Sequence, residues 1–146
     1  MVVIDRIRIH GFRGIEHLQM PLSSTTVLLG ANNCGKSTVL KALELALSDE
    51  MVVSTADFHE PENGRAGDFL YVDVRFVPIT GKKRRPYFSP AWQEEFKGHI
   101  SRDAHGREFF AFRTAFNKQA DGTPLKTRSE LVQWEAGKTG AAIDAL

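Results

Sequence analysis

Cysteine is almost missing from this 146-residue chain. Cys34 is the only one, so no internal disulfide can form, which fits a reducing compartment. An excess of either charge is missing too: 19 Lys and Arg face 18 Asp and Glu. That balance removes any global pull toward nucleic acid or membrane, while leaving room for a local basic patch. No apolar run approaches the ~20 residues that span a bilayer. The N-terminus, MVVIDRIRIHGF, carries Asp5, Arg6 and Arg8 early, unlike a secretory signal. Repeats and low-complexity segments are absent, and His10, His17, His59, His99 and His105 have no metal-ligand spacing. The expectation is a cytoplasmic, soluble protein with no membrane association. With 42% apolar residues, residues 1–146 can build the core of one domain, or of one domain's worth of a larger protein.

What is present is mostly strand-like. Val2 to Ile9 sets Ile7 and Ile9 on one face and Arg6, Arg8 and His10 on the other, a half-buried strand. Gly11 and Gly14 bracket a turn at Phe12-Arg13, and Ile15 to Met20 reads as a strand pairing back. Thr26 to Leu29 has the look of a short buried strand. From Ser37 the period becomes helical, with Val39, Leu40, Leu43, Ala46 and Leu47 forming one apolar stripe that ends near Ser48-Asp49. Ser54 to Gly67 reads as a loop, and Asp68 to Val77 alternates again. Thr80 to Pro90 is a loop with the basic tip Lys82 to Arg85, followed by a short helix around Trp92 and Phe96. Glu108 to Phe116 reads as a strand. From Gly137 onward no firm element is indicated.

Between the strand at Leu29 and the helix at Ser37 stands Gly30-Ala31-Asn32-Asn33-Cys34-Gly35-Lys36-Ser37, which fits G-x-x-x-x-G-K-[ST]. In this motif the glycines turn the backbone so that successive N–H groups cradle phosphate oxygens, and the helix that follows aims its positive end at the same anion. Lys36 is placed to meet the β- and γ-phosphates, Ser37 to ligate Mg²⁺ through its hydroxyl, and Thr38 to reach the α-phosphate. At ordinary residue frequencies such a match occurs by chance in about 0.5% of chains this long. The strand before it and the amphipathic helix after it are the context the motif requires. ATP with Mg²⁺ is therefore the expected ligand.

Ile7-Arg8-Ile9-His10-Gly11-Phe12-Arg13-Gly14-Ile15, followed by Leu28-Leu29 and the motif through Thr38, resembles the N-terminus of SMC- and ABC-type ATPase heads. Within that group it is most similar to the OLD family of ATP-dependent endonucleases, through Phe-Arg-Gly and the Asn-Asn inside the loop. The resemblance is specific over Ile4 to Leu47 and weaker through Asp57-Phe58 and Asp121-Gly122. It implies an α/β fold: the N-terminal lobe of a P-loop ATPase head, with the P-loop helix on a strand-rich, mostly antiparallel sheet. It also implies a homodimer with ATP at the interface, joined to a Toprim nuclease that acts on DNA in repair or defence against phage. An SMC- or recombination-type ATPase that clamps DNA without cutting it is the alternative, and an inactive nucleotide-binding fragment a third reading.

Several family features have no counterpart here. No Walker B strand ending in Asp-Glu occurs: Leu70-Tyr71-Val72-Asp73 is followed by Val74, and Asp73 reads as a strand residue facing solvent. Neither a signature loop nor a Toprim acid cluster is found. The chain is expected to bind nucleotide, hydrolyse it poorly and cut no DNA by itself, and no catalytic residue is assigned. By the same resemblance, Arg13 lies on a turn that approaches nucleotide; the alternative is a surface arginine capping that turn. Asp57 falls near the Mg²⁺ position, although related heads often carry Gln there; otherwise it is an ordinary acidic loop residue. Cys34 contributes backbone to the cradle, its thiol being incidental. Lys82-Lys83-Arg84-Arg85 is either a solvated loop or a hairpin tip that tracks a DNA backbone. Phe109, Phe110, Phe112, Phe116, Trp92 and Trp134 read as core rather than as a base-stacking platform.

Overall fold

A computed structural model describes residues 1–22, 36–49, 53–60 and 67–143, with Lys36 described by its backbone alone. The expected strand Thr26 to Leu29 and the motif from Gly30 to Gly35 lie outside the described residues.

Alternating residues close a long hairpin at the N-terminus. β1 (Val2–Phe12) pairs antiparallel with β2 (Ile15–Pro21), and Phe12 sits opposite Ile15, so Arg13-Gly14 is the whole turn. Gly11 belongs to the strand, contrary to the bracketed turn expected. It stands at φ 68, and a Cβ there would lie 2.6 Å from the Phe69 carbonyl oxygen, so the backbone of the neighbouring strand takes the place of a side chain. β3 (Phe69–Thr80), β6 (Glu108–Lys118), β7 (Pro124–Gln133) and β8 (Lys138–Ala142) extend the sheet in the order β2-β1-β3-β6-β7-β8. The two-residue strands β4 (Lys83–Arg84) and β5 (Ser101–Arg102) pair with β3 and β6. All of these pairings are antiparallel. The result is a strand-rich sheet with few helices, and the α/β expectation holds only in that coarse form.

α1 (Lys36–Leu47) covers one face. Ile7, Ile9, Val72, Val74, Phe110 and Phe112 meet Val39, Ala42, Leu45 and Ala46 of the helix in one buried cluster. The stripe expected from the sequence holds at Val39, Leu43 and Ala46 and fails at Leu40 and Leu47. Ala42 and Leu45 are buried, whereas Leu40 and Leu47 are 54% and 53% exposed. The helix is apolar on more than one side, and the sheet takes the side bearing alanines, which permits close approach. α2 (Pro90–Glu95) is the expected short helix, and it leads to Phe96, whose ring stacks on Phe110 at 4.4 Å.

The other face holds a second, smaller cluster of Val77, Phe109, Ala111, Leu131 and Trp134, so β6 is buried on both sides. Beside it lies a buried charged row. Asp73 is 0% exposed, contrary to the solvent-facing expectation. It accepts hydrogen bonds from Arg8 Nε at 2.7 Å, Arg113 Nε at 2.8 Å and Arg113 Nη2 at 3.1 Å. The alternation of β3 was read correctly; the turn that folds Trp134 over this face was not visible in it. Trp92 corrects another expectation, being partly exposed rather than core. No helix among the described residues is long and apolar enough to cross a membrane.

Candidate functional site

The two ends of α1 are treated differently. A helix carries partial positive charge at its N-terminus and partial negative charge at its C-terminus. α1 has no basic residue in its last turn. β7 supplies the missing cations: Lys126 Nζ donates to the Ser48 carbonyl at 3.0 Å, and Arg128 Nη2 to the Ala46 carbonyl at 3.0 Å. Arg128 also bonds Thr114 Oγ1 through Nε and pairs with Asp49 at 2.6 Å, which ties the helix end to β6 and β7. Burial, and then the neighbouring Arg128, hold the Lys126 ammonium below its ordinary pKa.

The N-terminal end has no acidic residue in its first turn. That turn begins with Lys36 and Ser37, and Ser37 is exposed. The helix is thus anchored and neutralised at the far end, while its own side chains leave the positive end uncompensated. Such an end suits an anion, and an exposed hydroxyl on it suits a hard cation such as Mg²⁺. Of the expected phosphate-binding residues, Gly30, Ala31, Asn32, Asn33, Cys34 and Gly35 lie outside the described residues. Thr38 is half-buried in the first turn.

Arg13 and Asp57, selected separately from the sequence, are in contact. Arg13 Nε donates to Asp57 Oδ1 at 2.9 Å. The second Asp57 oxygen accepts the Ser54 backbone N–H at 2.9 Å, at the start of the 3-10 turn Thr55–Asp57. Each oxygen thus accepts one of these hydrogen bonds, and a carboxylate has further lone pairs to offer. The backbone is joined as well: Arg13 N–H donates to the Asp57 carbonyl at 2.7 Å, and His59 N–H to the Gly11 carbonyl at 2.8 Å. His59 Nδ1 lies 2.7 Å from the Arg13 carbonyl oxygen; a carbonyl can only accept, so Nδ1 carries the proton.

Arg13 is the one non-glycine residue at positive φ among the described residues, at 51°. Left-handed backbone costs an L-residue about 1–2 kcal/mol. Three hydrogen bonds to Asp57 and His59 hold it there, and its side chain remains 40% exposed with the guanidinium over the Phe12 ring at 5.1 Å. Phe12 and Phe58 belong to the same buried cluster as Val39 and Ala42 of α1, so the clamped turn rests on the core that carries the helix.

Of the basic run, Lys82, Lys83 and Arg85 are exposed, whereas Arg84 turns inward to Asp103 at 3.4 Å and the Glu108 carbonyl at 3.3 Å. Burial, then the charge of Arg75, hold Arg84 below its ordinary pKa. Sequence reasoning missed His59, the Lys126/Arg128 pair and the arginine row around Asp73. For Lys126 and Arg128 a signal existed: cations two apart in a strand share one face.

The family model for the AAA ATPase domain matches residues 3–130. An OLD nuclease from Thermus scotoductus is 33% identical over 86 residues, 58% of this chain and 15% of that protein. Uncharacterized protein YbjD of Escherichia coli K12 is 47% identical over 49 residues, 34% of this chain and 9% of that protein. The chain thus matches at most 15% of the length of either curated relative.

Proposed function

The chain belongs to the AAA ATPase domain family, and from that premise we propose that it is the ATP-binding portion of an OLD-like, ATP-dependent DNA endonuclease. The observation that carries the nucleotide part of this reading is the asymmetry of α1. Arg128 and Lys126 satisfy its C-terminus, while its N-terminal turn, entered directly from the glycine-rich motif, has no acidic residue of its own. The endonuclease part rests on the likeness to the Thermus scotoductus OLD nuclease. DNA as substrate, a homodimer of ATPase heads and a role in repair or phage defence belong to the same proposal.

In this reading the backbone from Gly30 to Gly35 and Lys36 hold the phosphates, Thr38 supports the α-phosphate, and Ser37 ligates Mg²⁺. The metal ion neutralises charge on the β- and γ-oxygens when bound. Arg13 presents a guanidinium from a turn whose conformation is fixed beforehand by Asp57 and His59, so little ordering remains to be done on binding. Asp57 orients Arg13, and its carboxylate would serve as a further oxygen donor for Mg²⁺.

The test is calorimetric titration of ATP into the chain and into Lys36→Ala. Loss of one hydrogen bond to a charged group should weaken binding by roughly 1.5–3 kcal/mol, about 10- to 150-fold. Equal affinity would sink the nucleotide reading. The endonuclease reading is tested on the native full-length protein with supercoiled plasmid, ATP and divalent metal. Absence of cleavage that depends on both would remove it.

A further inference from the structure

The charged row on the face away from α1 does not balance. Asp73 serves two guanidiniums, Arg8 and Arg113, leaving one positive charge in excess. Arg8 is 5% exposed. Its Nε bonds Asp73 and its Nη1 donates to the Trp134 carbonyl at 2.9 Å, but its buried Nη2 has no hydrogen-bond partner among the described residues. A buried donor left unpaired costs free energy that a ligand acceptor would recover.

That atom belongs to a residue lining an open cavity of about 390 Å³, with Arg113, Tyr71, His17, Gln19 and Glu135 around it. Gly137, at φ 62, forms part of the wall. A Cβ on it would lie 3.2 Å from Arg113 Nη2 and 3.7 Å from Arg8 Nη2, so the two guanidinium edges converge where that side chain is missing. Tyr71 fixes the Arg113 plane, whose carbon sits 3.7 Å from the ring centroid. Burial alone would lower the Arg113 pKa, but the hydrogen bonds and charge of Asp73 outweigh it and hold the value above the ordinary one. Glu135 is exposed at the rim and forms an ion pair with neither arginine.

We propose that this cavity is a second oxyanion site, separate from the glycine-rich motif, in which Arg8 Nη2 and Arg113 bind a phosphate group. Two fixed forks that converge on one point suit an anion with several oxygens, and guanidinium–phosphate contact is bidentate by preference. The phosphate can come from the free ion or from a nucleic-acid backbone. Next to the cavity His10 stacks on Tyr71 at 5.1 Å, with Phe69 6.2 Å from His10, a ring surface on which the bases of a strand can lie.

The experiment uses Lys36→Ala chain, so that phosphate held at the glycine-rich motif does not contribute. Inorganic phosphate is titrated while the arginine Nε–Hε resonances are followed by NMR. Saturable shifts of Arg8 and Arg113 are expected. Arg113→Gln, which leaves Asp73 paired with Arg8, should weaken the response at least ~10-fold, as loss of a charge-assisted contact requires. Glu135→Gln changes only an exposed side chain at the rim and should strengthen it. A short single-stranded oligonucleotide that displaces phosphate identifies the backbone as the source; one that does not identifies the free ion. No saturable shift at either arginine, or an affinity unchanged by both Arg113→Gln and Glu135→Gln, overturns the proposal. If Arg113→Gln does not fold, the direction of the Glu135→Gln effect decides.

Discussion

Replacing Arg13 by glycine separates structural from functional reasons for that residue, because the two predict opposite balances. Glycine occupies positive φ freely, so the substitution relieves about 1–2 kcal/mol of backbone strain. Against this stands loss of the ion pair to Asp57. With the arginine side chain 40% exposed, solvent screening limits that pair to about 0–1 kcal/mol. Loss of the contact with the Phe12 ring removes about 0.5–1 kcal/mol more. The backbone bonds to Asp57 and His59 do not depend on the side chain and remain. The net change in stability should lie between a gain of about 1.5 kcal/mol and a loss of about 1 kcal/mol, and urea denaturation measures it. ATP affinity, by contrast, should fall by roughly 1.5–3 kcal/mol if the guanidinium meets phosphate. Glycine variant and parent would then unfold at nearly the same urea concentration yet differ at least ~10-fold in calorimetric affinity. A variant destabilised by more than about 2 kcal/mol with unchanged ATP affinity refutes the reasoning, and Arg13 becomes a turn-capping residue.

Three further outcomes follow from the same structure. Ser37→Ala should reduce the Mg²⁺-dependent part of ATP binding and leave binding in EDTA nearly unchanged; a wild-type response to magnesium means that the exposed hydroxyl is not a ligand. Asp73→Ala strips the partner from two guanidiniums and should cost about 3–5 kcal/mol, lowering the melting temperature by roughly 6–20 °C; a shift of a degree or two would mean that water reaches the row freely. Burial first, then the charges of His17, Arg113 and His59, with Glu16 opposing, depress the His10 pKa below 6.5. The unfolded chain therefore binds this proton before the folded one does, and stability is lost as the pH falls below about 6.5. His10→Gln should flatten the melting-temperature profile between about pH 7.5 and 5, and an unchanged profile would assign the acid sensitivity to other groups.

The strands that were legible in the sequence are those whose apolar residues alternate against α1: Ile7 and Ile9 in β1, Val72 and Val74 in β3, Phe110 and Phe112 in β6. Two elements were illegible for different reasons. β8, Lys138–Ala142, is exposed along its whole length and exists by backbone pairing with β7, which leaves no periodic trace in side chains. β7 has few apolar residues because one of its faces is given to Lys126 and Arg128, whose work is to neutralise the end of α1 rather than to fill a core. The helix was recognised by its period, but its orientation was not. Leu40, Leu43 and Leu47 make as good a stripe as Ala42, Leu45 and Ala46, and only the shape of the sheet chooses between them.

Charge was the harder part of the reading, since alternation assigns a residue to a face and is silent about what covers that face. Arg8, Asp73 and Arg113 occupy the polar positions of three strands that fall side by side, Arg8 opposite Asp73 and Asp73 opposite Arg113. The registers that align them are set from the other side of the sheet, because a one-residue slip would turn Ile9, Val72 and Phe112 away from α1. The apolar pattern therefore fixes the charged row indirectly. Trp134 then closes over it, with the Arg8 guanidinium 4.3 Å from its ring and that of Arg75 5.8 Å away. Asp73 lies between Val72 and Val74, which both face the helix, so its carboxylate is on the far side of the sheet from α1 and cannot serve a phosphate bound at the N-terminus of that helix. Asp57, tied to the clamped turn through Arg13, is the carboxylate whose position the fold links to the surface that the nucleotide reading uses.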